Sequence, residues 1–444
     1  TPYLGANTDI DGGARGFVGD FGVLHTTSLG EQLPTPHPDN DGRIQEGIDL
    51  AVVNGTVYLE SATYAEAVTI AVNGLTVSGR SGIASDVKVT PPAGNGFTVT
   101  ADNVSIEHLQ VNGRDRTGNL SGNSHGIQWS SGSGLLQLTN LELIHIDGHG
   151  IAAAGVGNLN LTDVISSNNT GRGLEVTSSD NLSLRRVTAQ NNGVEAIVAQ
   201  RVDEVLVDTV TSSQDIVITP ATSIRITGPI DSNHGDLTLT AVEDIKIESA
   251  ITTSAGEVSL TADDSSTSGS ITMADGSSIV TGSGTITLAA DGHITISRLV
   301  TDNDTTAAVT ITSTSGRLLK AGDSDGEDIT ANNKGALVTI TTASGIGVPA
   351  NPIETNIDKI HAQVTATGVI ELAESNAITL ASVTTTDGHI GVAAETIHVI
   401  SIVAGSESDV TLNATGVIRV GGDPTTPVTG NLALTSGTYS VELD

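Results

Sequence analysis

Short runs of alternating apolar and polar residues fill most of the chain, and several of them share one signature. A glycine or alanine is followed by an apolar residue, any residue and a second apolar residue. Copies of the signature lie at residues 126–129, 150–153, 173–176 and 196–199, and an earlier copy lies at 96–99. The later copies follow one another at steps of about 23 residues, a length typical of solenoid repeats. The first step is longer, and we attribute the difference to an insertion at 113–124.

Repeats of this length with three short strands are typical of a parallel β-helix. One coil cannot bury its apolar face alone, so it stacks on the next coil about 4.8 Å away. After about residue 213 the repeat shortens, and Gly368 and Gly388 open successive copies of it. Coils at 256–283 and 309–336 are longer, which predicts surface loops.

The pattern therefore predicts three regions. Residues 1–38 form an irregular lead-in, residues 39–212 form a parallel β-helix with coils of about 23 residues, and residues 213–444 continue as a β-solenoid of about 20-residue repeats. The final stretch, "GTYSVELD", is expected to leave the last coil uncapped, which would invite stacking of further strands.

The segment 39–52 has helical spacing instead. Ile44, Ile48 and Ala51 recur at intervals of four and three residues, and Asp41 is placed to cap the helix N-terminus. A short helix here would cover the open end of the solenoid, where the first coil exposes unpaired backbone. The predicted fold is all-β, a parallel β-helix with one short N-terminal capping helix.

Composition supports this fold and argues against some classes of partner. Aromatic residues make up 2 % of the 444 residues, and the apolar residues are mostly those of strands. The net charge of −33 argues against nucleic acid and anionic membrane as partners. Cysteine is absent, which excludes disulfides, and no apolar run approaches the roughly 18 residues of a membrane span.

The first half resembles the right-handed parallel β-helix proteins of the pectate-lyase-like family. The resemblance covers about residues 39–210 and depends on the helical lead-in, on "NGTVYLESATY" and on coils of the form Asn-x-Gly-x-Gly-apolar. It implies right-handed coils. It also implies that the paired asparagines Asn168–Asn169 and Asn191–Asn192 form a ladder, amide to amide, along the turns.

The second half is similar to the haemagglutinin-type repeats of filamentous, exported bacterial adhesins. This resemblance covers about residues 235–444, with "GDLTLTAVEDIKIESAITTSAG" and "GIGVPANPIETNIDKIHAQ" as its most specific stretches. It implies an extracellular or cell-surface protein of bacterial origin that is structural in role.

Alignment of the coils on their apolar positions places candidate functional side chains in outward columns. The residue before each signature is in turn Asn95, His125, His149, Arg172 and Glu195. A second column contains Gln128, Ala152, Glu175 and Val198, with Ile127, Ile151, Leu174 and Ile197 facing inward. We therefore expect His125, His149, Arg172 and Glu175 to share one patch, overhung by Arg116 from the inserted loop.

Two interpretations of this patch stay open. In the lyases that the first half resembles, a cation neutralises a uronate carboxylate and a base removes the adjacent proton, which would make His149 or Arg172 the base and Arg116 the neutralising group. Alternatively, the columns are solvated ladders in which Arg172 pairs with Glu175 or Glu195. A glycan-binding module would also need exposed aromatic rings, and only Trp129, Tyr58 and Tyr64 lie nearby.

Calcium is a possible ligand, although no cofactor is required. The stretch "GDSDGED" places Asp323, Asp325 and Asp328 on a tight loop, and "NTDIDGG" places Asp9 and Asp11 likewise. Oxygen ligands at alternate positions suit Ca²⁺. Neither stretch has the glutamate that closes an EF-hand loop, and a solvated acidic turn is the simpler alternative.

The sequence thus predicts an exported bacterial structural protein, adhesin-like and able to stack or polymerise into filaments. Its expected partners are further copies of itself, associated head-to-tail or laterally, or neighbouring repeats of a longer chain. Glycans are a further expected class of partner. The alternative is a β-helix that binds or degrades polysaccharide by lyase chemistry, so enzymatic activity is left open.

Overall fold

The computed structural model describes residues 23–26, 44–114, 124–263, 269–322, 326–405 and 408–420. The chain divides into two compact units, Thr1–Ala221 and Thr222–Asp444. In each unit short strands pair in parallel with strands of neighbouring coils, so each unit is a parallel β-solenoid. The predicted fold class is confirmed.

The first unit has one α-helix and one 3₁₀ turn among its described residues, α1 (Ile44–Asp49) and Ala84–Asp86. Its strands are β1 (Val23–Thr26), β2 (Thr56–Leu59), β3 (Ala62–Tyr64), β4 (Val68–Ile70), β5 (Thr76–Gly79), β6 (Val87–Val89), β7 (Phe97–Val99), β8 (Val104–Asn112), β9 (His125–Trp129), β10 (Leu135–Ile144), β11 (His149–Ser167), β12 (Leu174–Gln190), β13 (Ile197–Gln200), β14 (Glu204–Ser212) and β15 (Ile216–Thr219).

The signature strands of this unit stack in the predicted register. Phe97, Ile127, Ile151, Leu174 and Ile197 are successive partners along β7, β9, β11, β12 and β13. Each is at most 1 % exposed. Burial of side chains of this size contributes about 1.5–3 kcal/mol apiece relative to exposure, so this inner column sets the register of the coils. The predicted spacing of the signature, including the longer step between Phe97 and Ile127, is confirmed.

A glycine precedes the first four of these apolar residues, and Ala196 precedes Ile197; the glycines permit close stacking. A Cβ atom on Gly126 would lie 2.5 Å from the carbonyl oxygen of Gly150, and one on Gly150 would lie 2.7 Å from that of Gly173. Such distances are shorter than any real Cβ contact tolerates. A side chain here would therefore push adjacent coils apart, which explains the glycine in the signature.

The predicted short helix is present as α1, which spans six residues. Ile44 and Ile48 are buried, whereas Ala51 lies beyond the helix. Asp41 lies outside the described residues, and the carboxylate of Glu66 instead accepts the N–H groups of Ile44 at 2.5 Å and Gln45 at 3.2 Å. No described helix is long and apolar enough to cross a membrane.

The side chain of Gln45 joins α1 to the edge strand β4. Its amide oxygen accepts the backbone N–H of Thr69 at 2.6 Å, and its amide nitrogen donates to the carbonyl of Thr69 at 3.1 Å. An amide side chain thus supplies the two bonds that a neighbouring strand would make. Of the predicted lead-in over 1–38, only Val23–Thr26 is described, and it pairs in parallel with β2.

The second unit contains strands throughout its described residues. They are β16 (Ser223–Ile226), β17 (Ile230–Asn233), β18 (Leu237–Ala241), β19 (Ile245–Ile247), β20 (Ala250–Thr253), β21 (Val258–Ala262), β22 (Ile271–Met273), β23 (Ser278–Thr281), β24 (Ile286–Ala290), β25 (Ile294–Ile296), β26 (Arg298–Thr301), β27 (Val309–Ser313), β28 (Leu318–Lys320), β29 (Ile329–Ala331), β30 (Leu337–Thr342), β31 (Ile353–Ile357), β32 (Lys359–Thr367), β33 (Ile370–Glu374), β34 (Ala377–Asp387), β35 (Ile390–Ala394), β36 (Thr396–Val399), β37 (Ile402–Val403), β38 (Val410–Ala414) and β39 (Ile418–Val420).

Coil lengths in this unit follow the predicted pattern. Leu237, Val258, Ile286, Val309 and Val338 are successive inward partners along β18, β21, β24, β27 and β30. The two widest separations in this series are those from Val258 to Ile286 and from Val309 to Val338. The two long coils therefore fall at the predicted places.

The shorter repeat predicted for the later part of this unit is also present. Ile370 on β33 pairs with Ile390 on β35, which in turn pairs with Val410 on β38. These equal steps match the predicted repeat of about 20 residues.

A buried hydroxyl group closes several turns of this unit, a feature that the sequence analysis did not identify. In each case the side-chain oxygen donates to the carbonyl of the glycine three residues later, at 2.6–3.1 Å. These residues are at most 2 % exposed. They are Ser232, Thr253, Thr281 and Thr342. Because each hydroxyl finds an acceptor in its own turn, it can face the core without an unpaired polar group.

Candidate functional site

The predicted outward column lies on the ends of successive strands of the first unit. His125 begins β9, His149 begins β11 and the two are direct partners. Arg172 precedes β12, where Glu175 follows Leu174. These four side chains come together as expected, because β9, β11 and β12 stack without a register shift. Arg116 lies outside the described residues.

The two histidines form a stacked pair with a defined tautomer. Their ring centroids are 5.2 Å apart and their planes differ by 7°. Nδ1 of His149 accepts the backbone N–H of Arg172 at 2.9 Å, and Nδ1 of His125 accepts that of His149 at 3.3 Å. An accepting Nδ1 carries no proton, so in the neutral ring the proton is on Nε2. Nε2 of His149 lies 3.2 Å from Oε2 of Glu175.

Arg172 bonds to one carboxylate in its own coil and to one in the next coil. Its NH1 donates to Oε1 of Glu175 at 2.5 Å, and its Nε donates to Oε2 of Glu195 at 3.0 Å. The Arg172 side chain is 27 % exposed and the two glutamates are similarly half-buried. Both ion pairs of the ladder interpretation are therefore present, and Glu175 holds His149 and Arg172 together.

Burial and neighbouring charges change the titration of this group. Partial burial lowers the pKa of His149, Glu175 opposes the shift and the Arg172 charge adds to it. The pKa of His125 is lowered by burial and by its neighbour His149. The pKa of Glu195 is also lowered, mainly by a backbone hydrogen bond and further by the bond from Arg172. The lowered pKa values of the two histidines favour their neutral form near neutral pH.

Proton abstraction requires an open lone pair on the base. The lone pair of His149 at Nδ1 is occupied by the N–H of Arg172, while Nε2 carries a proton toward Glu175. The guanidinium of Arg172 donates to its two carboxylate partners. The arrangement directly stabilises the stack, since the contacts of His149 with Glu175 and of Arg172 with Glu195 each join one coil to the next.

The asparagine pairs also join coils, but differently from the predicted amide ladder. Oδ1 of Asn169 accepts the backbone N–H of Ile146 at 2.9 Å, and Oδ1 of Asn192 accepts that of Asn169 at 3.2 Å. Asn168 and Asn191 instead have positive φ angles of 59° and 54°. The pair therefore combines a left-handed turn residue, which asparagine tolerates, with a buried amide that caps the backbone of the previous coil.

Two of the three aromatic residues near the column, Trp129 and Tyr64, do not offer a surface for sugars. Trp129 and Tyr64 are fully buried, and both are among the largest core side chains. Tyr58 is half-buried on β2. Stacking of a sugar ring on Trp129 or Tyr64 would require the core to open.

The calcium candidates lie mostly outside the described residues, which contain neither Asp9, Asp11, Asp323 nor Asp325. Asp328 is described and is fully buried, and its Oδ2 accepts the backbone N–H of Glu354 at 2.8 Å. Within the described ranges no group of three or more His, Asp or Glu side chains is arranged to hold a metal ion. Calcium binding stays a prediction.

The second unit contains a group of buried charges that the sequence analysis missed. Glu374 ends β33 at an inward position, and its carboxylate accepts bonds from Thr355, Ile357 and Asn376 at 2.8–3.1 Å. Burial raises its pKa to about 7, against the effect of these bonds. Nearby, Nζ of Lys320 lies 2.7 Å from Oε2 of Glu354, and the Lys320 side chain is 1 % exposed.

Glu374 lies beside two concavities of this unit. One is a groove of about 800 Å³ that it lines with Glu395 and small residues of β35 and β38. The other, of about 360 Å³, is lined also by Glu327 and Glu354. The sequence carries one signal for this acid, since Glu374 occupies the apolar phase of the alternation Ile370, Leu372, Glu374.

Comparison of the chain with protein-family models, with curated proteins and with solved structures finds no match. The structure thus supports both resemblances in their fold, a parallel β-solenoid. Membership of the pectate-lyase-like or haemagglutinin-type family stays a prediction.

Proposed function

We propose that this chain is a structural protein of the bacterial surface, exported and adhesin-like, in which the stacked coils form a stable scaffold. The proposal rests on the contacts of Arg172, which is half-buried and donates hydrogen bonds to Glu175 and Glu195. The side chains with the greatest catalytic potential are engaged in holding neighbouring coils together.

Other arginines support this role. Arg186 donates two hydrogen bonds to Asp163 at 2.5 and 2.7 Å, and these residues are 23 positions apart, or one coil. In the second unit Arg225 makes two bonds to Glu248, again 23 residues away. In a chain with 18 basic and 51 acidic residues, these arginines neutralise acids on adjacent coils. Exposed pairs of this kind contribute less than about 1 kcal/mol each, but they recur along the stack.

Self-association is the partner chemistry that we propose, either head-to-tail or lateral. Exposed strand edges pair readily with other strands, and a repetitive solenoid presents such edges at its ends. Electron microscopy and sedimentation of the full chain, with and without calcium, test this part. Ordered assemblies support it, and a monodisperse monomer at high concentration contradicts it.

The cellular role is tested on intact cells of the producing organism. Antibody labelling and removal of the chain by external protease support a surface location, whereas protection until lysis contradicts it. The lyase alternative is tested separately with acidic polysaccharides. Turnover by the purified chain that Arg172→Ala abolishes would replace the structural role with an enzymatic one.

A further inference from the structure

Five strands of the second unit present two parallel rows of hydroxyl side chains. The strands β18, β21, β24, β27 and β30 pair in sequence without a register shift. The first row consists of Thr238, Ser259, Thr287, Thr310 and Thr339. The second row consists of Thr240, Thr261, Ala289, Thr312 and Thr341. We call these ten positions the threonine face.

The threonine face has regular spacing in two directions. Neighbouring strands are about 4.8 Å apart, and alternate residues of one strand are about 6.6 Å apart, so the rows extend over about 19 Å. All ten side chains are half-exposed, on the outer side of a sheet whose inward partners are buried. Threonine is β-branched and stiff at χ1, which holds the hydroxyl and methyl groups in repeated orientations.

The threonine face is also chemically uniform. It has nine hydroxyl residues and one alanine, without a charged or aromatic side chain, although the chain carries a net charge of −33. Within the described ranges, none of the nine hydroxyl groups is bonded to another residue. Each hydroxyl therefore offers one donor and two acceptor positions to water, and the methyl groups between them restrict the orientation of first-shell water.

A ligand that uses such a face as a whole must itself be a planar lattice with similar periods in two directions. We propose that the threonine face binds ice. Water molecules anchored on the two hydroxyl rows and confined by the methyl groups form a layer that continues into the crystal lattice. A flat sheet is needed for this match, and in-register side-chain ladders are what keep a sheet flat.

Crystalline polysaccharide is the other lattice of this kind, but the face suits it less well. Protein sites for sugars combine aromatic platforms with a few placed polar groups, and this face has no ring. Binding to crystalline cellulose or chitin is therefore an outcome of the test that would overturn the proposal.

The test measures ice-growth inhibition, as thermal hysteresis and as recrystallisation in frozen samples, with the purified full chain. Thr310→Lys, in the first row between Thr287 and Thr339, places a long charged side chain on the face. Thr312→Lys perturbs the second row independently. Thr272→Lys is the matched control, because Thr272 is exposed on β22 and pairs with Lys246, which shows that its column accepts lysine.

Ice-growth inhibition by the parent chain and by Thr272→Lys, lost in Thr310→Lys and Thr312→Lys with unchanged circular dichroism, is the expected result. Absence of inhibition in the parent chain would overturn the proposal. So would equal inhibition by all four proteins, or adsorption to crystalline polysaccharide without an effect on ice.

Discussion

The backbone N–H of Arg172 donates a 2.9 Å hydrogen bond to Nδ1 of His149, one coil earlier. This bond exists only while Nδ1 is unprotonated. His149 also faces the stacked His125, the carboxylates Glu175 and Glu195, and the guanidinium of Arg172. The contact therefore couples the stacking of coils to pH.

We predict that acidification weakens this contact. The pKa of His149 is lowered in the folded chain from its ordinary 6.5, so the unfolded chain binds the proton more strongly. The contribution to the free energy of unfolding is complete above pH 6.5 and is lost as the pH falls from 6.5 toward the folded pKa. In His149→Gln, denaturation between pH 5 and 6.5 should depend less on pH than in the parent chain. If the free energy of unfolding changed equally with pH in the variant and the parent chain, the prediction would be wrong.

Glu374 should show the opposite dependence. Its pKa is raised to about 7 by burial, so the folded chain binds the proton more strongly than the unfolded one, with its ordinary value of 4.5. Its stabilising contribution is present below pH 4.5 and is lost as the pH rises toward 7. Carbon-detected NMR of labelled glutamates should show one carboxyl with a midpoint near 7 that disappears in Glu374→Gln. A spectrum in which all midpoints are near 4.5 would contradict this.

The helix cap offers a local test of stability. Glu66→Ala leaves the N–H groups of Ile44 and Gln45 without their acceptor, which should lower the free energy of unfolding by about 1–2 kcal/mol. Amide exchange at these two residues should rise. The control is Glu60→Ala, which removes an exposed pair with Arg80, worth less than about 1 kcal/mol. Equal effects of the two variants would refute a capping role for Glu66.

The two members of an asparagine pair should respond differently. Asn169→Ala leaves the buried N–H of Ile146 without an acceptor, at a cost of about 1–3 kcal/mol. Asn168→Gly should change the free energy of unfolding by less than about 1 kcal/mol, because glycine accepts the positive φ at this position. Chemical denaturation of both variants measures the difference. Similar losses in the free energy of unfolding would show that the side-chain amide of Asn169 does not stabilise the stacked coils.

The periodic parts of this chain were predictable because one inward column determines the register. The signature that places Ile127 on Ile151 and Leu174 also placed His125, His149 and Arg172 side by side, so the candidate site followed from counting residues. Strand propensity and glycine spacing are local properties, and local properties are what a single sequence displays.

Contacts between residues that do not occupy equivalent positions in the repeat could not be predicted. Glu66 caps a helix 22 residues earlier, and the spacing gave no reason to prefer it to Asp41. Glu374 obtains its raised pKa from burial, although it bonds to Thr355 and Ile357 of an earlier strand. The asparagines were predicted to bond to one another, side chain to side chain, whereas the side-chain oxygens of Asn169 and Asn192 accept backbone N–H groups of the preceding coil.

The central claim is that Arg172 holds coils together. The most direct measurement is the free energy of unfolding of Arg172→Ala, compared with the exposed Arg201→Ala and made beside an assay for acidic-polysaccharide turnover. Loss of two charge-assisted bonds should lower the stability of Arg172→Ala by about 1–3 kcal/mol, with little change in Arg201→Ala and no turnover by the parent chain. Unchanged stability of Arg172→Ala, together with turnover by the parent chain that this variant loses, would contradict the account.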